Sequence, residues 1–514
     1  MHVGISRKTR QVVVPPDQRI QMLIPHATLH RHNGKDYWLV PHRIQEAKLL
    51  TNLGYDVPSP IMTHYNWRRM IPFDSQKVTA EMLTQQRRAF VLNDMGTGKT
   101  LSALFAADFL MQIGEIKSAL IIAPLSTLTT VWEREIFTRM PDRTAVSLHG
   151  TRTKRLQRLA EPFDFYIINP DGLNIIRDAI NDRPDINLII LDELTCYRNK
   201  RTNRWKYANA IIRKRKYVWG MTGAPTPNAP TDAWAQTLLI APDNVPRYFK
   251  QFRDQTMLQV TQYKWIPKKE AASIVNAVMQ PAIRFTRDEC IDLPALTFTD
   301  LECDMSPVQL KAYKEMLTKF AVQIAEGKIT AANAGVQMSK LLQLAGGFIY
   351  GPNGQAESIN AAPREALLEE IMEEVGPDNK MIIFAPFRHL VKHLHMKLGA
   401  SHRVASITGE TSKAERDEIF NLFQNSSAPQ FLIAHPGTMA HGVNLHRANF
   451  ITWYSPTVSL EIYDQANARI PRPGQKKAMS IIHVIGSPIE KAIYKRLQSK
   501  SAVQNLLLEM FQKK

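Results

Sequence analysis

The strongest constraint on the fold is an alternation of short apolar runs with longer amphipathic stretches, which occurs in two separate parts of the chain. Between residues 73 and 240 the apolar runs are AFVLND, SALIIAP, FDFYIINP, INLIILDE and KYVWGMTG. From residue 380 they are KMIIFAP, RVASITG, QFLIAHPG, NFITWYSP and AMSIIHVIG. Buried strands that alternate with helices form parallel βαβ units, because parallel strands need a long crossover. The sequence therefore predicts an α/β protein with two parallel-sheet lobes.

The remaining segments predict helical insertions and a small α+β unit at the N-terminus. Residues 242 to about 345 have mainly helical patterns. Near the start, RIQMLIPHATLH and DYWLVPH flank the hairpin-turn signal Asn33-Gly34, and a predicted helix follows that ends at Gly54. We predict a hairpin-helix accessory unit at 1–60, a first lobe at 61–293 with a helical extension after about 240, and a second lobe at 294–514 with a helical insertion at about 305–375.

Charge and cysteine content narrow the class of protein. The chain has 65 Lys and Arg against 47 Asp and Glu, a net charge of +18, which favours a nucleic-acid partner over mere solubility. Its three cysteines show no metal-binding spacing, which is typical of a reducing compartment. Because the sequence has no apolar leader and no run of about 18 apolar residues, we expect no membrane association. We expect a cytoplasmic protein of a bacterium or a phage-infected cell.

A glycine-rich loop stands between a predicted strand and a predicted helix, in VLNDMGTGKTLSAL. Glycines let backbone N–H groups approach phosphate oxygens, and the helix N-terminus favours an anion. In such a loop Lys99 reaches the β- and γ-phosphates and the Thr100 hydroxyl binds magnesium. Asn93 stands where the usual phosphate-loop pattern has glycine, and we interpret this as a mild departure because asparagine tolerates left-handed backbone. The loop predicts ATP and Mg²⁺ as cofactors.

A pair of carboxylates, Asp192-Glu193, ends the predicted buried strand INLIILDE, 93 residues after Lys99. A carboxylate at the end of such a strand can hold the magnesium shell, and its neighbour can orient or deprotonate a water molecule. Such a pair alone is usually a solvated strand end. After a phosphate loop it predicts a hydrolytic site with Lys99, Asp192 and Glu193 as catalytic residues.

These motifs resemble, in order and spacing, a superfamily-two helicase-like ATPase of the Swi/Snf-like branch, over residues 70 to 500 or so. The segments that carry the resemblance are FDSQKVTAEML, NDMGTGKT, IIAPLSTLTTVWEREI, DELT, MTGAPTPN, a linker from RFTRDEC to LKAYKEM, ITGETSKAERDEIFNLFQ, HPGTMAHGVNLHRANFITWYSP and DQANARIPRPGQ. The resemblance, to the compact phage and bacterial type in particular, implies two RecA-like lobes with ATP bound between them.

The resemblance also implies individual roles. In the first lobe it places Gln76 on the adenine edge and Gly96, Thr97, Gly98, Lys99 and Thr100 around the phosphates, with Thr100 and Asp192 on the metal. In the second lobe it implies that Arg469 and Arg472 are arginine fingers for the γ-phosphate and that Gln465 contacts the nucleotide. DNA would be gripped through its phosphates by Ser126, Thr127, Thr408, Gly409 and Thr438, or by the backbone amides of the same turns.

Three motifs depart from the family pattern. Thr195 makes the carboxylate motif DELT instead of DEAH or DEAD, which predicts altered coupling to the MTGAPTPN segment. Ala440 and His441 replace two glycines, and His441 is either a polar contact or a surface histidine. Pro471 stands where many relatives have histidine.

Two segments keep alternative interpretations. Residues 197–217 contain nine Lys and Arg and no acid, which is either a solvated helix face or a DNA-facing surface. Trp205 in this segment is either a core residue or a base-stacking residue, and its helical spacing favours the core. The N-terminal unit resembles, weakly, the accessory DNA-recognition modules of annealing helicases, or it is a brace on the first lobe.

Three functions fit the sequence. The first is an ATP-driven translocase on double-stranded DNA, which we expect to be a monomeric motor. The second is a helicase that separates strands at forks, recombination intermediates or R-loops. The third is an ATP-gated DNA-binding scaffold, which the presence of every catalytic residue type disfavours.

Overall fold

The computed structural model describes residues 3–67, 71–125, 127–261, 265–290, 294–325, 331–351, 353–439, 444–472 and 474–499. Two compact units divide the chain: residues 1–226 with 230–290, and residues 227–229 with 291–514. Within the described residues, no helix is both long and apolar enough to cross a membrane.

The N-terminal segment is an antiparallel sheet backed by helices, with strand order β1-β2-β4-β3. Its elements are β1 Gly4–Ser6, β2 Gln11–Val14, α1 Gln18–Leu23, β3 Thr28–His32, β4 Lys35–Pro41, α2 Ile44–Asn52 and α3 Pro60–His64. Asn33 and Gly34 have φ of 49° and 78°, as the predicted hairpin turn requires. The segment RIQMLIPHATLH, which the hairpin signal predicted as one strand, begins instead as helix α1. The Asp17 side chain caps this helix by accepting from Arg19 N.

The large sheet of the first unit is parallel throughout, with strand order β13-β5-β10-β9-β6-β8-β7. Its strands are β5 Arg88–Val91, β6 Ser118–Ile122, β7 Ala145–Ser147, β8 Phe165–Ile168, β9 Ile186–Asp192, β10 Tyr217–Met221 and β13 Ala282–Ile283. The surrounding helices are α4 Asp74–Gln85, α5 Lys99–Gln112, α6 Arg134–Arg139, α7 Arg152–Ala160, α8 Leu173–Asn181, α9 Asn203–Ile212, α10 Asp232–Ile240, α11 Phe249–Thr256, α12 Ala271–Val278 and α13 Arg287–Cys290.

Both faces of this sheet are buried, as the continuous apolar runs predict. Ile189 and Leu191 of β9 belong to the hydrophobic core on one face, whereas Leu188 and Ile190 belong to the core on the other. The side chains of a strand alternate between faces, so each face needs its own layer of helices.

The segment that we predicted to be mainly helical, 242–345, contains strands as well. β11 Met257–Gln259 and β12 Trp265–Pro267 form an antiparallel hairpin, and β13 extends the large sheet beside β5. The short β13 is recruited by tertiary hydrogen bonds, from Phe90 N to Pro281 O and from Leu92 N to Ile283 O. Local sequence gives no signal for such a two-residue strand.

The second unit has its own parallel sheet, with strand order β14-β21-β20-β17-β19-β18. Its strands are β14 Leu296–Glu302, β15 Phe348–Tyr350, β16 Ala356–Ser358, β17 Met381–Phe384, β18 Val404–Ile407, β19 Phe431–Ala434, β20 Phe450–Trp453 and β21 Met479–Ile485, of which β15 and β16 form a separate hairpin. Its helices are α14 Pro307–Ala325, α15 Ala331–Ala345, α16 Ala362–Val375, α17 Arg388–Leu398, α18 Lys413–Asn425, α19 Leu460–Asn467 and α20 Pro488–Gln498. The predicted α/β architecture with two parallel-sheet lobes is confirmed.

Candidate active site

The glycine-rich loop connects β5 to α5, and its backbone conformation explains why glycine occupies two of its positions. Gly96 and Gly98 have φ of 90° and 82°, in the left-handed region that favours glycine. A Cβ at Gly98 would also stand 2.0 Å from Gln76 Nε2. Any side chain at this position would therefore strain the backbone and displace a neighbour, so residue 98 must be glycine.

Lys99 is the first residue of α5, and its ammonium group lies over the loop. Nζ donates to the carbonyl oxygens of Asn93 and Asp94 at 2.8 and 3.0 Å. The buried Thr97 closes the same turn, since its hydroxyl donates to Asp94 O at 2.9 Å. Thr100 follows as the second residue of the helix and is half-buried. The loop thus presents a cation and a hydroxyl at one helix N-terminus.

Asn93 has a role that the sequence did not reveal. It does not adopt left-handed backbone, so our explanation for its place in the loop was wrong. Its side chain is buried and bridges two elements: Nδ2 donates to Thr79 Oγ1 of α4, and Oδ1 accepts from Phe285 N, both at 3.0 Å. Asn93 therefore fixes the start of the loop against α4 and the segment after β13.

Gln76 is buried at the first turn of α4, next to the loop. Its Oε1 accepts from Phe73 N at 3.0 Å, and its Nε2 donates to Gly98 O at 3.5 Å. The side chain thus connects the N-terminus of α4 with the last glycine of the loop. Its assignment to the adenine edge stays a prediction.

Asp192 ends β9 and is half-buried. Its Oδ2 accepts from the indole Nε1 of Trp132 at 2.9 Å, and its Oδ1 accepts from Glu193 N at 3.0 Å. Burial and the neighbouring Glu193 carboxylate raise the pKa of Asp192 to about 6, against the opposing effects of the hydrogen bond from Trp132 and the attraction of Lys99. Trp132 was not predicted as a site residue, because an apolar helical pattern gives no sign that its indole would reach a carboxylate.

Glu193 has a left-handed backbone, with φ of 56°, which is uncommon for a residue other than glycine. Two buried hydroxyls hold its carboxylate: Thr195 Oγ1 donates to Oε1 at 2.8 Å, and Thr222 Oγ1 donates to the same oxygen at 3.3 Å. Thr222 follows β10 and belongs to the MTGAPTPN segment. Backbone strain of this kind is found mostly at functional sites, where the surrounding contacts maintain it.

The residues at this sheet edge fit a magnesium–nucleotide complex. The adjacent Glu193 carboxylate disfavours the charged form of Asp192, and a divalent cation would relieve that repulsion. Within the described residues no group of three acidic, histidine or cysteine side chains could hold a metal by itself. Mg²⁺ usually takes one or two protein ligands and completes its shell with phosphate and water.

In the second unit, the two predicted arginine fingers follow α19 and are anchored close to the main chain. Arg469 is buried and its Nε donates to Gln465 O, while Arg472 Nε donates to Ala468 O, both at 2.7 Å. Gln465 is 2% exposed, and its Nε2 makes no hydrogen bond within the described residues. The roles of these three side chains toward a nucleotide stay predictions.

The turn that holds the arginines is braced from the adjoining segment. Leu445 N donates to Arg469 O at 3.1 Å. Gln475 Nε2 donates to the carbonyl oxygens of His446 and Ala448 at 2.9 and 2.8 Å. Pro471 is buried inside this brace. The rigidity of the turn therefore rests on tertiary hydrogen bonds as well as on proline.

The predicted DNA contacts lie in short turns after strands, and their hydroxyls are engaged locally. Thr127 Oγ1 donates to Pro124 O at 2.9 Å, and Thr438 Oγ1 donates to His435 O at 2.7 Å. Thr408 Oγ1 accepts from Glu410 N at 3.2 Å, and Gly409 beside it is exposed with open space around its Cα. Ser126, like Ala440 and His441, lies outside the described residues.

Several cations of the basic segment 197–217 have structural partners. Arg204 pairs with Asp171 at 2.6 Å, and Lys216 pairs with Glu115 at 2.6 Å. Arg215 is buried and donates to main-chain oxygens, including Ile186 O at 2.8 Å. Trp205 is a core residue, 5% exposed, as its spacing suggested. These contacts leave fewer cations for DNA than the sequence implied.

Comparison with protein families gives two matches along the chain. Residues 42–345 match the SNF2-related domain, and residues 363–474 match the helicase conserved C-terminal domain. The first match includes Lys99, Asp192 and Glu193, and the second includes Arg469 and Arg472.

Similar proteins occur in phages, bacteria and eukaryotes. Putative protein p41 of Acyrthosiphon pisum secondary endosymbiont phage 1 is 25% identical over 86% of this chain and 99% of its own length. An uncharacterized ATP-dependent helicase of Mycoplasma pneumoniae and the ISWI chromatin-remodeling complex ATPase ISW1 of Saccharomyces cerevisiae are each 24% identical over 81% of this chain. The chain spans only 40% and 38% of the lengths of those two relatives.

Among solved structures, the Sulfolobus solfataricus SWI2/SNF2 ATPase core in complex with dsDNA is 23% identical, over 84% of this chain and 91% of its own, with a TM-score of 0.41.

The match to the SNF2-related domain covers more than half of the chain and contains the whole candidate site of the first unit. The chain belongs to the SNF2-related family.

Proposed function

We propose that this chain is a DNA-dependent ATPase that couples ATP hydrolysis to movement along double-stranded DNA. The observation that carries the proposal is the gathering of Lys99, Asp192, Glu193 and Thr222 at the carboxyl ends of β5, β9 and β10, which are neighbours in one parallel sheet. Ligands of open α/β sheets bind outside the carboxyl ends of the strands. Membership of the SNF2-related family and relatives named ATP-dependent DNA helicases support the same conclusion.

The first unit contributes groups for each part of the reaction. Lys99 would exchange its loop carbonyls for phosphate oxygens, and Thr100 with Asp192 would hold magnesium. Bound Mg²⁺ would neutralise phosphate charge during transfer. Glu193, oriented by two hydroxyls, would accept a proton from the attacking water.

The second unit would supply Arg469 and Arg472 to the γ-phosphate and Gln465 to the nucleotide. Arginines stabilise the charge that develops on the transferred phosphoryl group. The unpartnered Nε2 of the buried Gln465 supports a ligand contact, because a buried donor normally has an acceptor. Hydrolysis that needs groups from both units would couple chemistry to conformational change.

We propose that DNA is gripped through its phosphates at the turns of Ser126, Thr127, Thr408, Gly409 and Thr438. The hydroxyls of Thr127 and Thr438 are held by local acceptors, which favours backbone amides as donors to phosphate. Phosphate contacts carry little sequence information, as a moving motor requires.

The decisive experiment compares ATP turnover with duplex, single-stranded and forked DNA, followed by triplex-displacement and strand-separation assays. We expect duplex DNA to stimulate turnover and the third strand of a triplex to be displaced without separation of the duplex. Separation of the strands would instead establish a helicase. Turnover that no DNA stimulates would refute both motors and favour the ATP-gated scaffold. Lys99→Ala is the inactive reference.

Arg472→Ala should lower kcat by about 10³-fold, as expected for an arginine finger, with little change in nucleotide affinity. Steady-state ATP turnover and binding of a fluorescent nucleotide separate the two effects. Lys476→Ala, an exposed cation four residues away, serves as the control and should behave as wild type. Near-normal turnover of Arg472→Ala would remove this residue from the finger role.

A further inference from the structure

One end of the N-terminal sheet carries four exposed cations. Arg7, Lys8 and Arg10 occupy the turn between β1 and β2, and Arg43 follows β4. A hydrogen bond of 2.7 Å from His42 N to Arg10 O joins the turn to the end of β4. The four residues therefore lie at the same end of the strands. We call these four residues the basic edge.

Several other cations of the N-terminal segment are paired with acids, unlike those of the basic edge. Arg19, His26 and Arg31 of the same N-terminal segment each contact a carboxylate: Asp17, Glu46 and Asp36. Among the described residues, none of the four side chains of the basic edge has a hydrogen-bond or ion-pair partner. Unpaired like charges on one edge repel each other and produce a positive potential that attracts polyanions.

Two of the four positions also carry a conformational cost. Arg10 has a left-handed backbone, with φ of 51°, which a long side chain seldom adopts. Arg43 is the N-cap of α2 and makes no side-chain capping bond there, and a cationic residue is disfavoured at the positive end of a helix dipole. Asparagine would suit the first position better and serine the second. Backbone strain like that of Arg10 is found most often where function requires the residue.

We propose that the basic edge binds the phosphate backbone of DNA, as a contact additional to those of the motor motifs. The proposal rests on the proposed function, which provides DNA as the partner. Guanidinium groups suit phosphate because they donate two parallel hydrogen bonds. Side chains that contact phosphates make no hydrogen bonds to base edges, so we expect this contact to be independent of the DNA sequence.

The test uses the full chain and two double variants that each remove two charges. Arg10→Asn with Arg43→Ser alters the basic edge, and Arg31→Gln with Lys35→Gln alters the hairpin at the opposite end of β4. The affinity for a duplex of fixed length is measured against salt concentration. Each lost phosphate contact lowers the slope of log K against log salt by about 0.9, so the first variant should lose about 2. The second should keep the wild-type slope.

Measurements of melting temperature and of ATP turnover without DNA show whether a loss of DNA binding is caused by a folding defect. We expect the melting temperature of the basic-edge variant to equal or exceed that of wild type, because both substitutions suit their backbone positions. Its ATP turnover without DNA should be unchanged.

Equal slopes for the two variants would show that only total charge matters and would overturn the proposal. A basic-edge variant that loses binding to phosphatidylserine vesicles but keeps the wild-type DNA slope would also overturn it, in favour of a membrane surface. If DNA binds but fails to stimulate wild-type turnover, the proposed motor function fails, while the comparison of slopes still decides the fate of the basic edge.

Discussion

Thr195 stands where relatives commonly have the residue that connects the carboxylate motif to the segment corresponding to MTGAPTPN. In this chain the two motifs are nevertheless connected through Glu193. The hydroxyl of Thr195 donates to Glu193 at 2.8 Å, and Thr222 donates to the same carboxylate oxygen. The sequence predicted altered coupling at this position. The geometry shows which contact the threonine makes: it orients the carboxylate of a residue whose own backbone is strained.

Thr195→Val should lower kcat for ATP by about 10- to 100-fold, which corresponds to the ~1.5–3 kcal/mol of a hydrogen bond to a charged group. The KM for ATP should change little, because the hydroxyl contacts the proposed base and not the nucleotide. Steady-state ATP turnover measures both. Thr195→Ser keeps the hydroxyl and should restore most of kcat. Equal turnover of the valine and serine variants would contradict the orienting role.

Single residues also show where prediction from sequence fails. The types of Lys99, Asp192 and Glu193 follow from the chemistry that a phosphate loop and a strand-end acid pair can perform. The partners Trp132, Thr222 and Phe285 could not be predicted, because each lies far along the chain from the residue it contacts. Long-range contacts are set by the packing of elements and leave no local pattern.

At the scale of elements, two histidines connect the N-terminal sheet to the helix that precedes the nucleotide motifs. His64 of α3 donates from Nε2 to His42 Nδ1 at 2.9 Å, and His42 Nε2 donates to Pro58 O at 2.8 Å. Burial, His42 and the nearby Arg10 and Arg7 lower the pKa of His64 to about 4, and burial lowers that of His42. The imidazole of His42 must be neutral for this arrangement to form, because its Nδ1 accepts while its Nε2 donates, and the lowered pKa of His64 keeps that imidazole neutral at pH values well above 4.

We therefore expect acid to weaken the first unit below pH 6.5. Between pH 4 and about 6.5 the unfolded chain binds protons at these histidines that the folded chain does not, so stability falls as pH falls through this window. Melting temperatures at pH 7 and pH 5 measure the loss. His64→Gln, which keeps a donor but does not titrate, should lose less than wild type. His30→Gln, an exposed histidine of the same sheet, should match wild type. An unchanged pH dependence in His64→Gln would refute the assignment.

The type of an element could be predicted where its sequence pattern was strong. The prediction was wrong where tertiary contacts decided the type. The ten apolar runs all became strands of the two large sheets, because burial on both faces requires continuous apolar sequence. The hairpin β11–β12 and the short β13 were missed within a segment of helical pattern. A strand of two residues forms only because its neighbour offers hydrogen-bonding groups.

At the scale of the whole molecule, each unit has its own sheet and its own buried cores. In the second unit, Arg364 and Glu490 form a fully buried ion pair at 2.6 Å that joins α16 to α20. Glu490 also accepts from Gly486 N and Ser487 Oγ at 2.9 and 3.1 Å. Loss of one partner would leave an uncompensated buried charge.

Glu490→Gln should destabilise the second unit by ~3–5 kcal/mol, the usual cost of breaking a buried pair from one side. Scanning calorimetry should show the transition of this unit shifted down and that of the first unit unchanged. Trp453 is the only tryptophan of the second unit, so its fluorescence should follow the shifted transition. Lys491→Gln, which removes the exposed pair with Glu302 one residue away, should cost less than ~1 kcal/mol. Similar losses in both variants would argue against a special role of the buried pair.

The sequence by itself determined the α/β class, the two parallel sheets and the residue types of the hydrolytic chemistry. Periodicity reports burial, and phosphate, metal and proton chemistry admit few side chains. Only the tertiary structure decided what holds those residues in place: the bridge from Asn93 to α4 and the segment after β13, the two hydroxyls on Glu193, and the brace of the arginine turn by Gln475. Each depends on a contact between distant parts of the chain, and such contacts exist only once the elements have packed.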